Sequence, residues 1–374
     1  MEAAQSDPTS IYWPWCKVSP SRPKSPLRRL LDRIMKGKAT SLDIAYLAGV
    51  SQPTVSRALR GSPTVNEETR KRILAIAAEL NYKVDKHASS LRRQQSYTLA
   101  LLFFEDPTLD DSLINPFFLS MVGSITRACG AHGYDLLISF QEQGSNWHAE
   151  YEDSKKADGI ILLGYGDYLE YSSRLKGLVE QGTHFVRWGA VQPGQPGISI
   201  GCDNRQGGYD LTKHLIERGC TRIAFLGHAS EHYPEFFERY RGHQQALSDG
   251  NLRVDPRLQF DAITTEKSGY DAACALMDSG PAFNGIFCAS DLIAIGAMRA
   301  LQERGIKIPE DVAVGGFDDI PIASFANPSL TTVQQDTKAA ANLLVESLLA
   351  LIHGEPVESR TIPAPLIIRD STKR

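Results

Sequence analysis

The stretch Leu42–Leu59, LDIAYLAGVSQPTVSRAL, decides the fold of the N-terminal part of this chain. It predicts one short helix that stops before Gly49 and a second helix that begins after an N-cap at Ser51. Ile44 and Val55 supply small apolar faces on which two such helices can cross. Two short helices joined by a glycine-bearing turn indicate a helix-turn-helix, although an ordinary helical hairpin with a solvated polar face has the same spacing.

The second helix is predicted to carry a row of side chains on its outer face. These residues are Gln52, Pro53, Thr54, Ser56 and Arg57. Glutamine can form two hydrogen bonds with adenine, and arginine can do the same with the O6 and N7 atoms of guanine. Ser51 stands at the helix N-terminus, where N–H groups favour a phosphate. The row therefore predicts readout of DNA in the major groove.

Charge is divided unevenly along the chain. The 374 residues carry a formal net charge of −4. Residues 1–97 contain 17 basic and 8 acidic side chains, whereas residues 98–374 contain 23 and 36. Such asymmetry is typical of segments that bind nucleic acid or a membrane surface, and a basic tail that only improves solubility is the alternative.

Composition argues against a membrane-spanning or secreted protein. No apolar stretch approaches the roughly 18–20 residues of a membrane span. The start of the chain has Glu2 and Asp7 where a secretory signal would be basic, and Ile11–Trp15 is too short for its apolar core. The six cysteines lack the spacing of a zinc site, so we expect reduced, packed thiols, no metal and no cofactor in a cytoplasmic protein.

The first 38 residues contain five prolines among Ser, Lys and Arg. We expect residues 1–38 to form a disordered arm, with room for a short helix over Leu27–Met35. A start codon at Met35 is the alternative, in which case the residues before it are not translated.

Residues 39–83 are predicted to form the helix-turn-helix headpiece. Its third helix runs from about Glu67 to Leu80 after an N-cap at Asn66. Residues 84–96 are predicted to link the headpiece to the rest of the chain.

From residue 97 onward, continuous apolar runs alternate with amphipathic helices. The predicted strands are Thr98–Phe104, Asp135–Ser139, Gly159–Leu163, His184–Trp188, Arg222–Leu226, Gly285–Cys288 and Val312–Phe317. The predicted helices include Phe118–Ala131, Tyr209–Arg218, Leu292–Glu303 and Lys338–Ile352. This α/β alternation is typical of parallel sheets covered on both faces, and its length predicts two doubly wound lobes that bind a ligand between them.

We expect the two lobes to use the chain discontinuously. Residues 97–200 and 309–334 are assigned to lobe 1, and residues 201–308 and 335–374 are assigned to lobe 2.

The sequence after residue 97 has no pattern of a catalytic site. It contains no nucleophile elbow, no phosphate-binding loop and no histidine-rich metal cluster. Asp318 and Asp319 could suggest an acid pair, but adjacent residues of an extended segment point in opposite directions. A structural role at the strand end is therefore expected for this pair.

The helix-turn-helix stretch resembles the lactose/galactose repressor family of bacterial transcription regulators, whose headpiece reads D-I-A-x-x-A-G-V-S-x-x-T-V-S-R. The resemblance continues, in the family's order, through Glu68–Arg70, Leu80–Tyr82, Asn115–Phe118, Gly316–Asp319 and Ile368–Thr372. It covers about residues 39–374. The resemblance implies a small all-α headpiece, a hinge helix, and a two-lobed, periplasmic-binding-protein-like domain that binds an effector and dimerises.

The resemblance also implies roles for headpiece residues. Gln52, Pro53 and Arg57 occupy base-reading positions, and Thr40 joins the predicted DNA contacts at the start of the first helix. Pro53 is a departure, because its side chain forms no hydrogen bonds and can read only an apolar group such as a thymine methyl.

A hinge helix that folds on DNA is implied at Lys86–Arg92. Leu91 matches the family position that wedges between bases in the minor groove, and Ala88 is the other predicted contact. The family usually shows Ala-Arg where this chain has Ala88-Ser89, so one basic contact is missing, and Arg92 or Arg93 can replace it. A linker residue packing on its own lobe is the alternative for Leu91.

Six effector contacts are implied by the resemblance: Phe117, Phe118, Arg187, Trp188, Arg239 and Asp291. Aromatic faces stack on the apolar side of a sugar, while Arg and Asp bond its hydroxyls. Arg187 stands where several relatives carry Asp, so we expect an acidic effector, although a surface ion pair is the alternative for each arginine. Thr264 stands where an aromatic residue often covers the ligand.

Together these features predict a repressor of carbohydrate uptake or catabolism genes that binds a pseudopalindromic operator as a homodimer. A sugar or sugar derivative between the lobes would change the spacing of the two hinge segments and so the affinity for DNA. The alternative is a periplasmic-type sugar-binding protein without a DNA role, and an enzyme of sugar metabolism is a distant third. Because no sustained heptad repeat ends the chain, a dimer is favoured over a coiled-coil tetramer.

Overall fold

The computed structural model describes residues 39–82, 95–103, 115–140, 146–164, 167–279 and 281–373. The chain divides between Arg92 and Arg93 into two compact units, which are described separately. The predicted arm, the helix at Leu27–Met35 and the hinge residues Ala88 and Leu91 lie outside the described residues.

Three helices form the headpiece. They are α1 (Ser41–Ala48), α2 (Gln52–Leu59) and α3 (Glu67–Glu79). Ile44 of α1, Val55 of α2 and Ile73 of α3 are fully buried against one another in a small shared core. The predicted helix-turn-helix and its third helix are thereby confirmed.

Strands and helices alternate through the second unit. The strands are β1 (Thr98–Phe103), β2 (Asp135–Phe140), β3 (Gly159–Leu163), β4 (Phe185–Trp188), β5 (Ile198–Cys202), β6 (Ile223–Leu226), β7 (Gln259–Phe260), β8 (Gly285–Cys288), β9 (Ala313–Asp318), β10 (Thr331–Gln334), β11 (Arg360–Ile362) and β12 (Leu366–Ile367). The α-helices are α4 (Pro116–Ala131), α5 (Tyr168–Glu180), α6 (Asn204–Glu217), α7 (Pro234–Asp249), α8 (Glu266–Ser279), α9 (Asp291–Glu303) and α10 (Thr337–Ile352). A π-helical turn spans His148–Asp153, and 3₁₀ turns span Pro256–Leu258, Pro321–Ser324 and Asp370–Thr372.

The strands form two six-stranded sheets, as the two-lobed prediction requires. The sheet of lobe 1 has the order β11-β5-β4-β3-β1-β2, and the sheet of lobe 2 has the order β12-β10-β9-β8-β6-β7. The pairings are parallel except for that of β12 with β10. Helices cover both faces, which is why central strands such as β3, β6, β8 and β9 are buried along their whole length.

The predicted division of the later chain between the lobes was wrong. Residues 309–334, assigned to lobe 1, contain β9 and β10, which extend the sheet of lobe 2 from β8. Helix α10, assigned to lobe 2, packs on α4 and on β3 to β5 of lobe 1, and β11 pairs with β5. The chain therefore crosses between lobes after β5, after β10 and after β11. An apolar strand such as β9 fits either sheet, so its composition does not reveal its lobe.

Candidate nucleic-acid interface and ligand cleft

The turn between α1 and α2 is fixed by local hydrogen bonds. Thr40 and Asp43 form a reciprocal capping box at the start of α1, with Thr40 N donating to Asp43 Oδ2 over 2.8 Å. Gly49 ends the helix in the left-handed region, at φ 65°, and its N–H donates to the carbonyls of Ala45 and Tyr46. A left-handed turn at this point costs glycine little, and it directs the chain into α2.

Helix α2 presents its predicted base-reading side chains to solvent. Pro53 and Arg57 are exposed, and Gln52, Thr54 and Ser56 are half-buried. Arg57 Nε donates to the Pro53 carbonyl of its own helix over 3.3 Å, so its terminal nitrogens have no hydrogen bond among the described residues. Gln52 donates to Ser41 Oγ over 3.3 Å, which links the two helices. The arrangement leaves the Arg57 fork available to a partner.

Three of the predicted DNA contacts, Thr40, Ser51 and Thr54, have hydroxyls that already bond within the headpiece. Thr40 Oγ1 donates to Asp43 Oδ2 over 2.7 Å. Ser51 Oγ lies 2.8 Å from Thr54 Oγ1 rather than capping a backbone N–H of α2. The start of α2 therefore keeps N–H groups uncapped by side chains, which suits an anion.

The positive charge near the N-terminus is mostly outside the headpiece helices. Residues 39–82 contain five basic and four acidic side chains. Residues 1–38 contain eight basic and three acidic side chains, and residues 83–97 contain four and one. Placement of Arg57, rather than net charge, therefore distinguishes the surface of α2.

The lobes of the second unit contact each other directly at the carboxyl ends of their strands. Asn115, before α4 of lobe 1, donates from Nδ2 to Thr264 Oγ1 of lobe 2 over 3.2 Å, and Thr264 donates to Ser290 Oγ over 3.0 Å. At the rim, His232 Nδ1 lies 2.6 Å from Asp167 Oδ2 of lobe 1. Thr264, which stands where relatives often have an aromatic residue over the ligand, thus takes part in hydrogen bonds that join the two lobes.

The structure brings two of the predicted aromatic residues together on the cleft side of lobe 1. Phe117 opens α4 and Trp188 ends β4, with ring centroids 6.2 Å apart. Phe118 touches Phe117 and also Phe103, which belongs to the buried core. Phe117 and Trp188 therefore form an aromatic pair, and Phe118 connects Phe117 to the core.

Arg239 is fully buried in lobe 2. Its Nε donates to Asn204 Oδ1 over 2.9 Å, its Nη1 donates to the Ala289 carbonyl over 2.5 Å, and its guanidinium lies 3.7 Å from the centre of the Phe317 ring. The carboxylate of Asp318 lies 3.6 Å from Nη1. This buried charge is therefore compensated within lobe 2.

Asp291 is also fully buried, and both of its carboxylate oxygens are engaged. Oδ2 accepts from Ile320 N over 2.9 Å, and Oδ1 accepts from Thr332 Oγ1 over 2.5 Å. Burial and the nearby Asp318 raise the pKa of Asp291 well above its ordinary value. These bonds connect the start of α9 to β10 and to the segment that follows β9, so Asp291 stabilises the packing of these elements. Its contact with an effector stays a prediction.

The sequence prediction missed residues at the ends of β9 and β10 that line a cavity between the lobes. The cavity, of about 340 Å³, is lined by Phe117 and Ser120 of lobe 1 and by residues 318–321 and 334–337. Asp318 accepts from Gln335 Nε2 over 2.6 Å, whereas Asp319 pairs with Arg369 over 2.6 Å. The adjacent carboxylates thus point to different partners, as expected, and Asp318 faces Arg239.

The described residues contain no group of three His, Cys, Asp or Glu side chains arranged to hold a metal ion. Burial raises the pKa of the Cys129 thiol to about 11 and that of Cys202 to about 12, so neither is a reactive thiolate. None of the helices in the described ranges is both long and apolar enough to cross a bilayer.

A DNA-reading headpiece followed by a two-lobed ligand-binding unit defines a ligand-responsive DNA-binding protein. A model of lacI-family bacterial regulatory proteins matches residues 40–85, and a model of the periplasmic binding protein-like domain matches residues 212–372. The chain is 30% identical over 343 residues to the transcriptional regulator RegA of Clostridium saccharobutylicum, covering 89% of this chain and 99% of the relative. It is 30% identical to the transcriptional repressor CytR of Escherichia coli, covering 90% and 96%.

Solved structures agree with this assignment. The transcriptional regulator CelR–cellobiose complex shares 30% identity at a TM-score of 0.65, covering 89% of this chain and 99% of that one. The Lac repressor dimer bound to operator and the anti-inducer ONPF shares 25% identity at a TM-score of 0.75, with the same coverage. The chain belongs to the LacI family, and it is a DNA-binding transcriptional repressor. The periplasmic-type alternative, without a DNA role, is not favoured.

Proposed function

We propose that this protein represses carbohydrate uptake or catabolism genes in the cytoplasm, and that a small sugar or sugar derivative bound between the lobes controls its affinity for operator DNA. The observation that carries the proposal is the cleft itself. Phe117 of lobe 1, which packs on Trp188, and Asp318 of lobe 2, which pairs with Arg239, line the same cavity. Small-molecule sites typically combine an apolar wall with a few fixed polar groups. A sugar fits such a site, because it has an apolar face for the wall and hydroxyls for the polar groups.

The relatives support a sugar as the ligand class. The CelR structure contains cellobiose, and Lac repressor structures contain ONPF or ONPG. We propose Phe117, Phe118, Arg187, Trp188, Arg239 and Asp291 as effector-binding residues, to which the structure adds Asp318 as a candidate. None of these residues has a proposed role in catalysis, and the protein is proposed not to be an enzyme.

The DNA contacts are proposed to lie at the start of α1, at the start and along the outer face of α2, and on the linker. The residues are Thr40, Ser51, Gln52, Pro53, Thr54, Ser56, Arg57, Ala88 and Leu91. A pseudopalindromic operator requires two headpieces, so the protein is proposed to act as a homodimer. Phe325 is 84% exposed and Ile322 is 49% exposed beside it in lobe 2, an apolar patch that suits a second copy of the chain.

The linker enters lobe 1 at a well-anchored point. Asp158 Oδ1 accepts from Ser96 N over 2.6 Å, and Oδ2 accepts from Tyr97 N over 2.8 Å. A movement of lobe 1 would therefore move the C-terminal end of the linker with it. We propose that ligand binding changes the orientation of the lobes and, through this point, the spacing of the two hinges in the dimer.

The test combines two measurements on the full chain. Operator DNA is obtained by selection from a random duplex pool, and a panel of sugars is screened by thermal stabilisation. We expect a sequence-specific operator and at least one stabilising sugar that changes operator affinity. Stabilising sugars without any specific DNA binding would favour the sugar-binding alternative, and turnover of a sugar would favour an enzyme.

A further inference from the structure

Arg187 is held in place by neighbours from lobe 1. Its side chain is 2% exposed, and Nη2 donates to Gln195 Oε1 and, over 3.4 Å, to the Ala190 carbonyl. The guanidinium also lies 5.4 Å from the centre of the Tyr168 ring. A buried arginine of this kind requires a negative partner, because an uncompensated buried charge is strongly unfavourable.

A carboxylate of the opposite lobe lies near this arginine. Glu235, in the first turn of α7 in lobe 2, is 8% exposed, and its Oε1 accepts from Ala190 N over 2.7 Å. The peptide groups of Ala190 thus join the two charges: its N–H bonds the carboxylate and its carbonyl accepts from the guanidinium. A carboxylate of lobe 2 is thereby fixed next to an arginine of lobe 1.

Two further observations indicate that the two charges lie near each other. A Cβ added at Gly189 would lie 2.9 Å from Glu235 Oε1 and 3.2 Å from Arg187 Nη1, so both atoms border the same small space. Burial raises the pKa of the Tyr171 hydroxyl, Glu235 raises it further, and Arg187 lowers it. Both charges therefore act on one buried hydroxyl.

We propose that Glu235 determines the charge selectivity of the ligand cleft by balancing Arg187, so that the site selects an uncharged polyhydroxy ligand and rejects an acidic one. This inference rests on the proposed ligand-binding function and replaces the expectation of an acidic effector. A sugar carboxylate or phosphate beside Arg187 would also meet Glu235 in a site with little water, where like charges repel strongly.

The same pair can still bond a neutral ligand. Arg187 Nε is buried and has no acceptor among the described residues, so it retains a donor for a ligand hydroxyl. The Glu235 carboxylate can accept from a second hydroxyl. A donor and an acceptor fixed near one another suit neighbouring sugar hydroxyls, each of which both donates and accepts.

The experiment measures the binding of matched neutral and acidic sugars to the full chain. The pairs are galactose and galacturonate, glucose and glucuronate, and ribose and ribose 5-phosphate. Binding is detected by thermal shift and measured by calorimetry. Wild type is expected to bind a neutral member at least about tenfold more tightly than its acidic counterpart. Glu235→Gln, which keeps an oxygen for Ala190 N but removes the charge, is expected to reverse or abolish that ratio. Glu238→Gln, one turn along α7 and paired with Arg241 over 3.1 Å, is the matched control and should keep it.

A second variant keeps the test independent of one side chain. Gly189→Ala places a methyl group between Glu235 and Arg187 and should shift the ratio in the same direction as Glu235→Gln. Preference of wild type for an acidic sugar would overturn the inference, and so would a ratio unchanged by both variants. If no sugar of any pair binds, the proposed sugar-binding function fails, and this inference fails with it. If sugars bind with a ratio that does not depend on Glu235, only the inference fails.

Discussion

Arg57 of the headpiece and the arginines Arg187 and Arg239 of the second unit have opposite surroundings. Arg57 is exposed on α2, where its only hydrogen bond among the described residues is to the Pro53 carbonyl. Arg187 and Arg239 are almost completely buried and bond carbonyl, amide and carboxylate groups on several elements. The exposed arginine is available to a partner outside the chain. The buried arginines stabilise the protein around them, and they can bond a ligand only through donors that their protein partners do not use.

Substitution of an arginine should therefore have different effects at the exposed and at the buried positions. Loss of an exposed arginine should reduce binding and leave folding intact. Loss of a buried arginine should first lower the stability of the fold, because the groups that it bonded stay buried with an unbalanced charge and unsatisfied hydrogen bonds.

The largest effect is expected from Arg239→Ala. Above pH 7, where Asp318 is ionised, it leaves the buried carboxylate without its cation and should lower the stability of the second unit by about 3–5 kcal/mol. Differential scanning calorimetry of the full chain at that pH measures the loss. Arg257→Ala, the control, removes an exposed arginine that pairs with Asp255 over 2.7 Å, and its effect should be far smaller. Equal losses in the two variants would contradict the contrast.

The buried pair should also make stability depend on pH. Burial, opposed by Arg239, raises the pKa of Asp318 from 3.8 to about 7. Between these values the unfolded carboxyl is ionised while the folded one still holds its proton, so this group's contribution to stability falls as pH rises through that window and is constant above it. Melting temperatures of wild type and Asp318→Asn should therefore change relative to each other between about pH 4.5 and pH 7.5. If the two melting temperatures differ by the same amount across this pH range, Asp318 is ionised in the folded protein throughout the range.

Arg57→Ala should weaken specific operator binding while leaving the melting curve unchanged. The loss of a bidentate arginine–guanine contact corresponds to about 1–3 kcal/mol. Fluorescence anisotropy with a selected operator measures the change. Arg60→Ala, just past the end of α2, is the matched control, and its smaller loss should be similar for specific and unrelated DNA. A larger effect for Arg60 would mean that α2 lies differently on DNA.

The smallest effect is expected from Thr40→Ala. It removes the capping box with Asp43 and should destabilise α1 by about 1 kcal/mol. Hydrogen exchange of residues 41–48 in the full chain reports this change. Thr64→Ala, whose exposed hydroxyl bonds only the nearby Ser62, should leave that exchange unchanged. If exchange is also unchanged in Thr40→Ala, the cap does not stabilise the helix.

Local patterns made the headpiece predictable from sequence. The caps Thr40 and Asn66, the turn at Gly49 and the apolar Ile44 and Val55 are each within a few residues of what they control. The α/β alternation of the second unit was predictable for the same reason, since apolar runs such as β3 and β8 match their strands residue for residue.

Features that depend on distant pairing were not predictable. Strand β10 reads TTVQ and β12 has two residues, so neither has the apolar run of a buried strand, and their sheet identity follows only from pairing with β9 and with each other. Glu235 of lobe 2, which bonds Ala190 near Arg187, lies 48 residues from Arg187 in the sequence, and no local spacing connects the two. Interlobe contacts of this kind require the folded structure.

If a ligand in the cleft controls DNA binding by the headpiece, it must change the affinity for the operator. Titrations of operator DNA measure the dissociation constant of the full chain with and without a saturating sugar that stabilises the second unit. We expect a change of about 5- to 150-fold, the usual range of allosteric coupling. A sugar that binds and stabilises the protein but leaves operator affinity unchanged would contradict it.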